Sequence, residues 1–261
     1  MFQKDVPIVE NIEIKPNNYL MTFRDAELAG KCRIGQFLEF KAGGLENLLR
    51  IPISIARVRG DLVSILYHVV GNGTAAMAKS RVGDSINVLG PLGNGFPLDI
   101  PADKEILFVA GGIGFGPFPY AMDSFANWKL FYGVRNEAQL LLQDEVAALE
   151  SAGKAFIATD DGSYGTKGFV TDLLDAYLAK NASNKVIFCC GPNPMMKRVC
   201  EVAAKHGVES HISMEDYMGC GIGICVGCVR KIREPSKPEG WEHKKVCKDG
   251  PVFKGEDILW S

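Results

Sequence analysis

The sequence has no surplus of charge of either sign. Its 261 residues hold 29 Lys+Arg against 31 Asp+Glu, a formal net charge of −2, which removes the electrostatic case for a nucleic-acid partner. It has no long apolar run either. The longest uncharged stretch, Ile106 to Met122, is seventeen residues long and interrupted by Gly111, Gly112, Gly114, Gly116, Pro117 and Pro119, whereas a membrane span needs about 20 apolar residues. The first ten residues carry Asp5 and Glu10 and no apolar h-region, so no secretory signal is expected. Internal repeats and low-complexity segments are absent. A soluble cytoplasmic protein without a membrane partner, its thiols kept reduced, is the resulting expectation.

Two kinds of residue are plentiful instead. Glycine numbers 29 in 261, about 11% against a usual ~7%. Four of the eight cysteines lie in one 28-residue window. A chain of this length buries enough surface to need no disulfide staples, so the cysteine cluster calls for a chemical explanation.

The first hundred residues read as short strands. Ile8–Phe23, Gln36–Lys41, Leu62–Val70 and Ser85–Leu89 are separated by Gly, Pro and Asn turns with no helix-length periodicity, the signature of a small antiparallel barrel. The Gly- and Pro-rich segment Gly90–Pro101 reads as a linker. Beyond it, apolar runs at Glu105–Ala110, Trp128–Tyr132, Ala155–Ala158 and Lys185–Cys189 alternate with helical segments Leu140–Glu150, Val170–Lys180 and Pro194–His206. That alternation predicts βαβ units and a parallel sheet. After about Ser210 regular structure gives way to a tail rich in Cys and Gly.

The tail reads Cys220-Gly-Ile-Gly-Ile-Cys225-Val-Gly-Cys228, then eighteen residues, then Cys247. C-x4-C-x2-C with a distant fourth cysteine is the plant-type spacing for a [2Fe–2S] cluster. Three thiolates from nine residues require a loop wrapped tightly round the cluster, and Gly219, Gly221, Gly223 and Gly227 supply the positive φ angles and close approach. The alternative is a zinc site, which usually pairs two C-x2-C or C-x2-H units; here only Cys225/Cys228 has that form. Cys32, Cys189 and Cys200 read as small core hydrophobes.

A second glycine cluster follows the first parallel strand. Gly111-Gly112-Ile113-Gly114-Phe115-Gly116-Pro117 gives G-x-G-x-x-P at Gly112, Gly114 and Pro117, a turn whose free N–H groups can cradle a pyrophosphate. Taken alone it also fits an ordinary tight turn. Further turns fall at the C-terminal ends of the other parallel strands, where open α/β sheets bind ligands: Gly133-Val-Arg135, Asp160-Asp161-Gly162-Ser163 and Cys190-Gly191-Pro192-Asn193-Pro194-Met195. Asp160 and Asp161 fit either a ligand contact or solvated turn positions. Arg135 and Asn136 leave the choice between NAD and NADP open.

Barrel, α/β unit and four-cysteine tail in this order resemble the ferredoxin–NADP reductase superfamily. Within it the chain is most similar to the electron-transfer subunits of NAD-dependent dihydroorotate dehydrogenase. The most specific stretches are Gly90-Pro-Leu-Gly-Asn-Gly-Phe96, Ala158-Thr-Asp-Asp-Gly-Ser-Tyr-Gly-Thr-Lys-Gly168, Cys220-Gly-Ile-Gly-Ile-Cys225 and Val246-Cys-Lys-Asp-Gly-Pro-Val-Phe253. The resemblance implies an α+β multi-domain chain: an N-terminal antiparallel FAD-binding β-barrel (1–98), a parallel α/β NAD-binding domain (99–210) and a small [2Fe–2S] module (211–261).

FAD is implied on the barrel at an Arg-Pro-x-Ser element, an aromatic-basic strand and a Gly-Thr turn. The matching positions are Ile51-Pro52-Ile53-Ser54, Tyr67-His68-Val69 and Gly73-Thr74. The pattern's arginine is Ile51 here, and its second basic residue is His68. Arg50 is one residue away, and a one-residue shift on a strand turns a side chain to the other face. NAD is implied at Gly112, Gly114, Pro117, Asp160, Gly191 and Met195, with Cys190 either beside the nicotinamide or a buried thiol at the sheet end. Cys220, Cys225, Cys228 and Cys247 are the implied cluster ligands.

The implied activity is electron transfer in pyrimidine synthesis, from an FMN-containing catalytic subunit through [2Fe–2S] and FAD to NAD+, in a heterotetramer of two subunits of each kind. The three parts use all 261 residues and leave no room for the ~250-residue α/β barrel of an FMN-dependent dehydrogenase, so the chain is not expected to oxidise dihydroorotate alone. Two other readings stand beside this one: a self-sufficient NAD(P)H reductase for a ferredoxin or oxygenase, and a binding module that has lost flavin chemistry.

Overall fold

The computed structural model describes residues 2–44 and 48–260. Six strands form the N-terminal part: β1 (Phe2–Lys15), β2 (Asn18–Arg24), β3 (Phe37–Lys41), β4 (Ile51–Arg59), β5 (Leu62–His68) and β6 (Ser85–Leu92). They close a barrel in the order β1-β2-β5-β4-β3-β6. The β4–β5 hairpin turns on Gly60 and Asp61, with Gly60 at φ 60°, the left-handed conformation that short hairpin turns require. Met21, Phe23, Phe40, Ile55, Val63 and Ile65 fill the interior and are fully buried. Each such side chain contributes roughly 1.5–3 kcal/mol.

Two short helices interrupt the barrel: α1 (Ala26–Ala29) and α2 (Asn72–Ala78). Neither is long enough to show a helical period, which is why the sequence pattern reads as strands alone. Asp25 caps α1 by accepting the Leu28 N–H at 2.7 Å. The segment read as a linker is partly strand, because β6 continues through Pro91 to Leu92 against Phe37 of β3.

The second part is a seven-stranded sheet. Its strands are β7 (Glu105–Gly111), β8 (Trp128–Val134), β9 (Ala155–Thr159), β10 (Thr166–Lys167), β11 (Lys185–Cys190) and β12 (Glu209–Ser213), all parallel to their neighbours. Helices α3 (Phe118–Ser124), α4 (Gln143–Ser151), α5 (Val170–Lys180) and α6 (Asn193–His206) cover its faces. Strand alternation sends Leu107, Val109, Phe131 and Cys189 to the side of α5 and α6. Phe108, Ala110, Tyr132 and Cys190 point to the side of α3 and α4.

The tail contributes a two-stranded ribbon, β13 (Val229–Arg233) with β14 (Trp241–Lys245), and a last strand, β15 (Val252–Lys254). β15 adds antiparallel to β12 and completes the large sheet. Regular structure therefore continues past Ser210: β12 runs across the 210/211 position, and the tail is stitched to the sheet as its seventh strand. Among the described residues no helix is long and apolar enough to cross a membrane.

Candidate functional site

Two clefts and one thiol cluster lie together where barrel, sheet and tail meet. The first cleft, about 510 Å3, is walled by Ile51–Ser54 of β4, Leu66–His68 of β5 and Thr74 of α2, faced by Ile113, Gly191, Pro192, Met214–Met218 and Arg230. Ile51, Pro52, Ile53, Ser54, Tyr67, His68 and Thr74 thus share one wall. Their roles differ. The Tyr67 ring is buried, stacked on Tyr19 with centroids 5.4 Å apart, and its hydroxyl donates to Asn11 at 2.9 Å. Burial raises that phenol well above its usual range. His68 faces the cleft, its Nδ1 paired with Asn18 Oδ1 at 3.1 Å.

The Thr74 hydroxyl accepts from the Val70 and Gly71 N–H groups at 3.0 and 3.2 Å, tying down the first turn of α2. Val69 packs on the barrel core instead. Gly73 lies under Ile51, whose Cδ1 is 2.6 Å from where a Cβ on Gly73 would stand. Arg50 is turned away: it donates to Asn87 Oδ1 at 2.6 Å and to the Glu39 carbonyl at 3.3 Å. Among the described residues, the basic side chains lining this cleft are His68 and Arg230, and Arg230 is paired with Asp216 at 2.8 Å.

The second cleft, about 810 Å3, opens at the C-terminal edge of the parallel strands, lined by Gly111–Gly114, Gly133–Arg135, Asp160, Phe169–Asp172, Gly191, Pro192, Pro194, Met195, Arg198 and Glu215. The strand order β9-β8-β7-β11-β12 puts the topological switch between β7 and β11, where open α/β sheets bind ligands. The glycines are there for space. A Cβ on Gly114 would come within 2.5 Å of the Cys190 carbonyl oxygen, and one on Gly111 within 2.5 Å of Met195 Sδ. Gly112, Gly114, Asp160, Gly191 and Met195 all line this cleft. Pro117 does not; it stands at the N-cap of α3. Of the paired aspartates, Asp160 faces the cleft, while Asp161 closes its own turn through the Ser163 N–H and hydroxyl at 2.9 and 2.6 Å.

Ile113, Gly191, Pro192 and Glu215 belong to both clefts. At this junction Cys190 is buried beside Ser213, its register partner on β12, and its Sγ lies 4.0 Å from Glu215 Oε1. Burial holds the thiol well above its usual range, and the Glu215 charge pushes the same way. Glu215 is open to the water of the clefts, yet it is walled by protein on enough sides that desolvation raises its carboxyl. Glu215 and Arg198 are functional candidates that no motif marks. Glu215 is a single acid between a strand and the cysteine loop; Arg198 becomes visible only once α6 is laid against the sheet edge.

The four tail cysteines come together as two pairs. The Cys225 N–H donates to Cys220 Sγ at 3.3 Å, and Cys228 hydrogen-bonds Cys247 through their thiols, with Cys220 near enough to act on Cys247 electrostatically. Desolvation opposes ionisation of Cys220, but backbone donors from Cys225, Ile222 and Ile224 outweigh it and bring the thiol down to about 6. Cys247, buried against Cys228, is pushed up to about 12. Gly221 and Gly223 take positive φ angles of 65° and 84°. Gly219 and Gly227 do not; they leave room instead, with Cys225 Sγ 3.4 and 3.8 Å from where their Cβ atoms would be. Among the described residues no three His, Cys, Asp or Glu side chains converge on a single ion. Paired thiols with amide donors aimed at sulfur fit a two-iron cluster, in which each iron takes two thiolates, better than a mononuclear zinc site.

Comparison with known proteins agrees with this geometry. Residues 215–259 match the iron-sulfur cluster binding domain of dihydroorotate dehydrogenase B, and residues 108–201 match the oxidoreductase NAD-binding domain. The electron transfer subunit of dihydroorotate dehydrogenase B (NAD(+)) from Desulforamulus reducens is 34% identical over 98% of both chains. That from Fusobacterium nucleatum is 36% identical, again over 98% of both. Among solved structures, an NADH-dependent reduced ferredoxin-NADP oxidoreductase superposes with a TM-score of 0.83 and 28% identity, covering 98% of this chain and 90% of that one. A Neisseria gonorrhoeae ferredoxin NADP+ reductase with bound FAD and NADP shares the fold at a TM-score of 0.66 and 18% identity, covering 78% and 92%.

Proposed function

The chain belongs to the electron transfer subunits of dihydroorotate dehydrogenase B, and from that premise we propose that it carries electrons from a dihydroorotate-oxidising partner to NAD+ in cytoplasmic pyrimidine synthesis. The partner is an FMN-containing catalytic subunit, assembled with this chain as a heterotetramer of two subunits of each kind. One observation carries the reading. The sheet-end cleft and the barrel cleft share Ile113, Gly191, Pro192 and Glu215, and the cysteine loop begins at Cys220, two residues after Met218 of the barrel cleft. Three cofactor sites therefore stand in series.

Residues 1–98 hold FAD, 99–210 hold NAD and 211–261 hold the [2Fe–2S] cluster. Cys220 with Cys225, and Cys228 with Cys247, ligate the cluster. FAD held in the barrel cleft by β4, β5 and α2 would supply the change from one-electron to hydride chemistry that the other two groups cannot make directly. The chain's own residues orient and exclude. Ser54 and the α2 turn at Gly73-Thr74 hold the flavin against β4 and β5. The Gly112-Ile-Gly114 turn admits the NAD pyrophosphate, and Gly191 and Met195 shape the nicotinamide end. Cys190 packs dry at the junction of the clefts, and Glu215, which lines both, would stand close to a nicotinamide held there. The test is to express the chain with and without a candidate FMN subunit and assay dihydroorotate-dependent NAD+ reduction. Activity of the pair and none of either chain alone is expected; an inactive pair overturns the proposal.

The TM-score of 0.83 to a ferredoxin-NADP oxidoreductase favours a second reading, a reductase acting on ferredoxin. NAD(P)H-dependent ferredoxin reduction by the chain without a partner, beside an inactive pair, would select it.

A further inference from the structure

Arg57 has no part in the arrangement above, and it does not point where strand alternation would send it. Ile53 and Ile55 of β4 face the barrel core, so a regular strand would turn residue 57 the same way. The ladder to β5 slips instead: Ile55 stands opposite Ile65, and Arg57 opposite Ser64. Ala56 is the extra residue of a β-bulge, a device that re-aims the side chains after it. Val58 takes the inward place. Arg57 is turned out of the barrel, yet its side chain is only 17% exposed.

What covers it is the α/β unit. Its Nη1 and Nη2 donate to Glu145 Oε1 and Oε2 of α4 at 3.2 and 2.7 Å, a bidentate fork that fixes direction as well as distance. Its Nε lies 3.7 Å from Asp123 Oδ2 near the end of α3, which Arg59 approaches at 3.8 Å. Beside these charges, Ala56 and Leu66 of the barrel share a core with Phe115 and Phe118 of the sheet unit. Arg57 therefore closes the rim of a packed joint between the two units.

Both sides of that joint lead directly into a cleft. On β4, Ser54 of the barrel cleft comes three residues before Arg57. On the other side, α3 follows directly on the glycine turn that lines the sheet-end cleft. Ser54 Cβ lies 4.0 Å from where a Cβ on Gly116 would stand, so the two walls nearly touch. A shift of α3 along β4 would change the spacing of the clefts.

We propose that Arg57 is a positioning residue for hydride transfer: bulged out of β4 and held by Glu145 and Asp123, it seats the barrel on α3 and α4 at the spacing that lets flavin and nicotinamide meet. The inference rests on reading the two clefts as flavin and NAD sites. Transfer between bound partners needs closely set reacting atoms, and a small misplacement lowers its rate steeply.

Wild type, Arg57→Leu and Arg57→Lys are purified as the full chain with FAD. Two quantities are read: the rate of flavin reduction at saturating NADH, and the long-wavelength charge-transfer absorbance of stacked flavin and nicotinamide rings. A wild type that binds no flavin, or whose flavin NADH does not reduce, refutes the reading of the clefts and this proposal with it. With both in place, Arg57→Leu is expected to slow reduction about tenfold and to weaken the band, with flavin content and the KM for NADH unchanged. Arg57→Lys, which keeps the charge but loses the fork, should fall between. A wild-type rate and band in Arg57→Leu overturn the proposal. So does a raised KM or lost flavin with an unchanged saturated rate, which would mark a role in binding alone. Should Arg57→Leu fail to fold, Glu145→Gln, on the more exposed half of the pair, decides. A weakened band with reduction slowed about threefold supports the assignment, and wild-type values overturn it.

Discussion

The two clefts are built from different materials. The sheet-end cleft is largely backbone: Gly111, Gly112, Gly114, Gly133 and Gly191 line it, and most of them lack room for a methyl group. The barrel cleft is side chains, contributed by β4, β5, α2 and the distant segment 214–218. A backbone site resists change because a Cβ at Gly111, Gly114, Gly133 or Gly191 would clash and Gly112 holds a φ of 55°, whereas a side-chain site can lose a member and keep its shape. Ile51 illustrates the second case. It replaces the arginine of the family pattern, yet the wall closes over Gly73 without it.

That contrast can be tested in order of expected effect. Cys228→Ser or Cys247→Ser removes a buried thiol of the cluster loop. The [2Fe–2S] absorption and EPR signals should disappear and dihydroorotate-dependent NAD+ reduction should fall to background, while NADH still reduces the flavin. If flavin reduction is lost as well, the clefts are not independent of the loop. Gly114→Ala comes next. Its methyl meets the Cys190 carbonyl at 2.5 Å, and such overpacking costs about 1–3 kcal/mol. Turnover with NADH should drop roughly ten- to hundredfold with flavin content unchanged; a normal KM and kcat would contradict a backbone-built cleft.

Ile51→Arg restores a bidentate partner for a pyrophosphate and should tighten FAD binding about tenfold, measured by flavin fluorescence on dilution, without altering the KM for NADH. The smallest effect concerns the junction. Desolvation raises the Glu215 carboxyl above 4.5, so it is neutral below that raised value and ionises as pH climbs through it. The anion favours the cationic nicotinamide ring of NAD+. NAD+ affinity should therefore rise about threefold, for an exposed pair worth well under 1 kcal/mol, across an inflection above the ordinary carboxyl range, and Glu215→Gln should flatten it. An identical pH profile in the variant would remove Glu215 from the nicotinamide site.

Much of this was legible in the sequence for a shared reason. Spacing along the chain reports geometry when one short segment builds the site. The run from Cys220 to Cys228 is such a segment, and so is the turn from Gly111 to Pro117, although Pro117 ends as a helix cap. The parallel strands were legible from their apolar runs, and α5 spans the expected residues, Val170–Lys180. What escaped were contacts between segments far apart. Tyr67 is the aromatic of an aromatic-basic pair, but its ring is committed to Tyr19 and Asn11, a pairing decided by the register of β2 on β5. Asp160 and Asp161 are equivalent in sequence and parted only by which one the Ser163 turn engages.

By itself the sequence determined the order of the three parts, the cysteine quartet and the glycine turn, because periodicity and local spacing act through the nearest residues. Only the tertiary structure decided the rest. It made β15 of the tail the seventh strand of the sheet, brought Glu215 to the junction of the clefts and pressed Glu39 of the barrel against Gly221 of the cysteine loop. Contacts across such separations arise from the joint packing of barrel, sheet and tail, and no local pattern of residues encodes them.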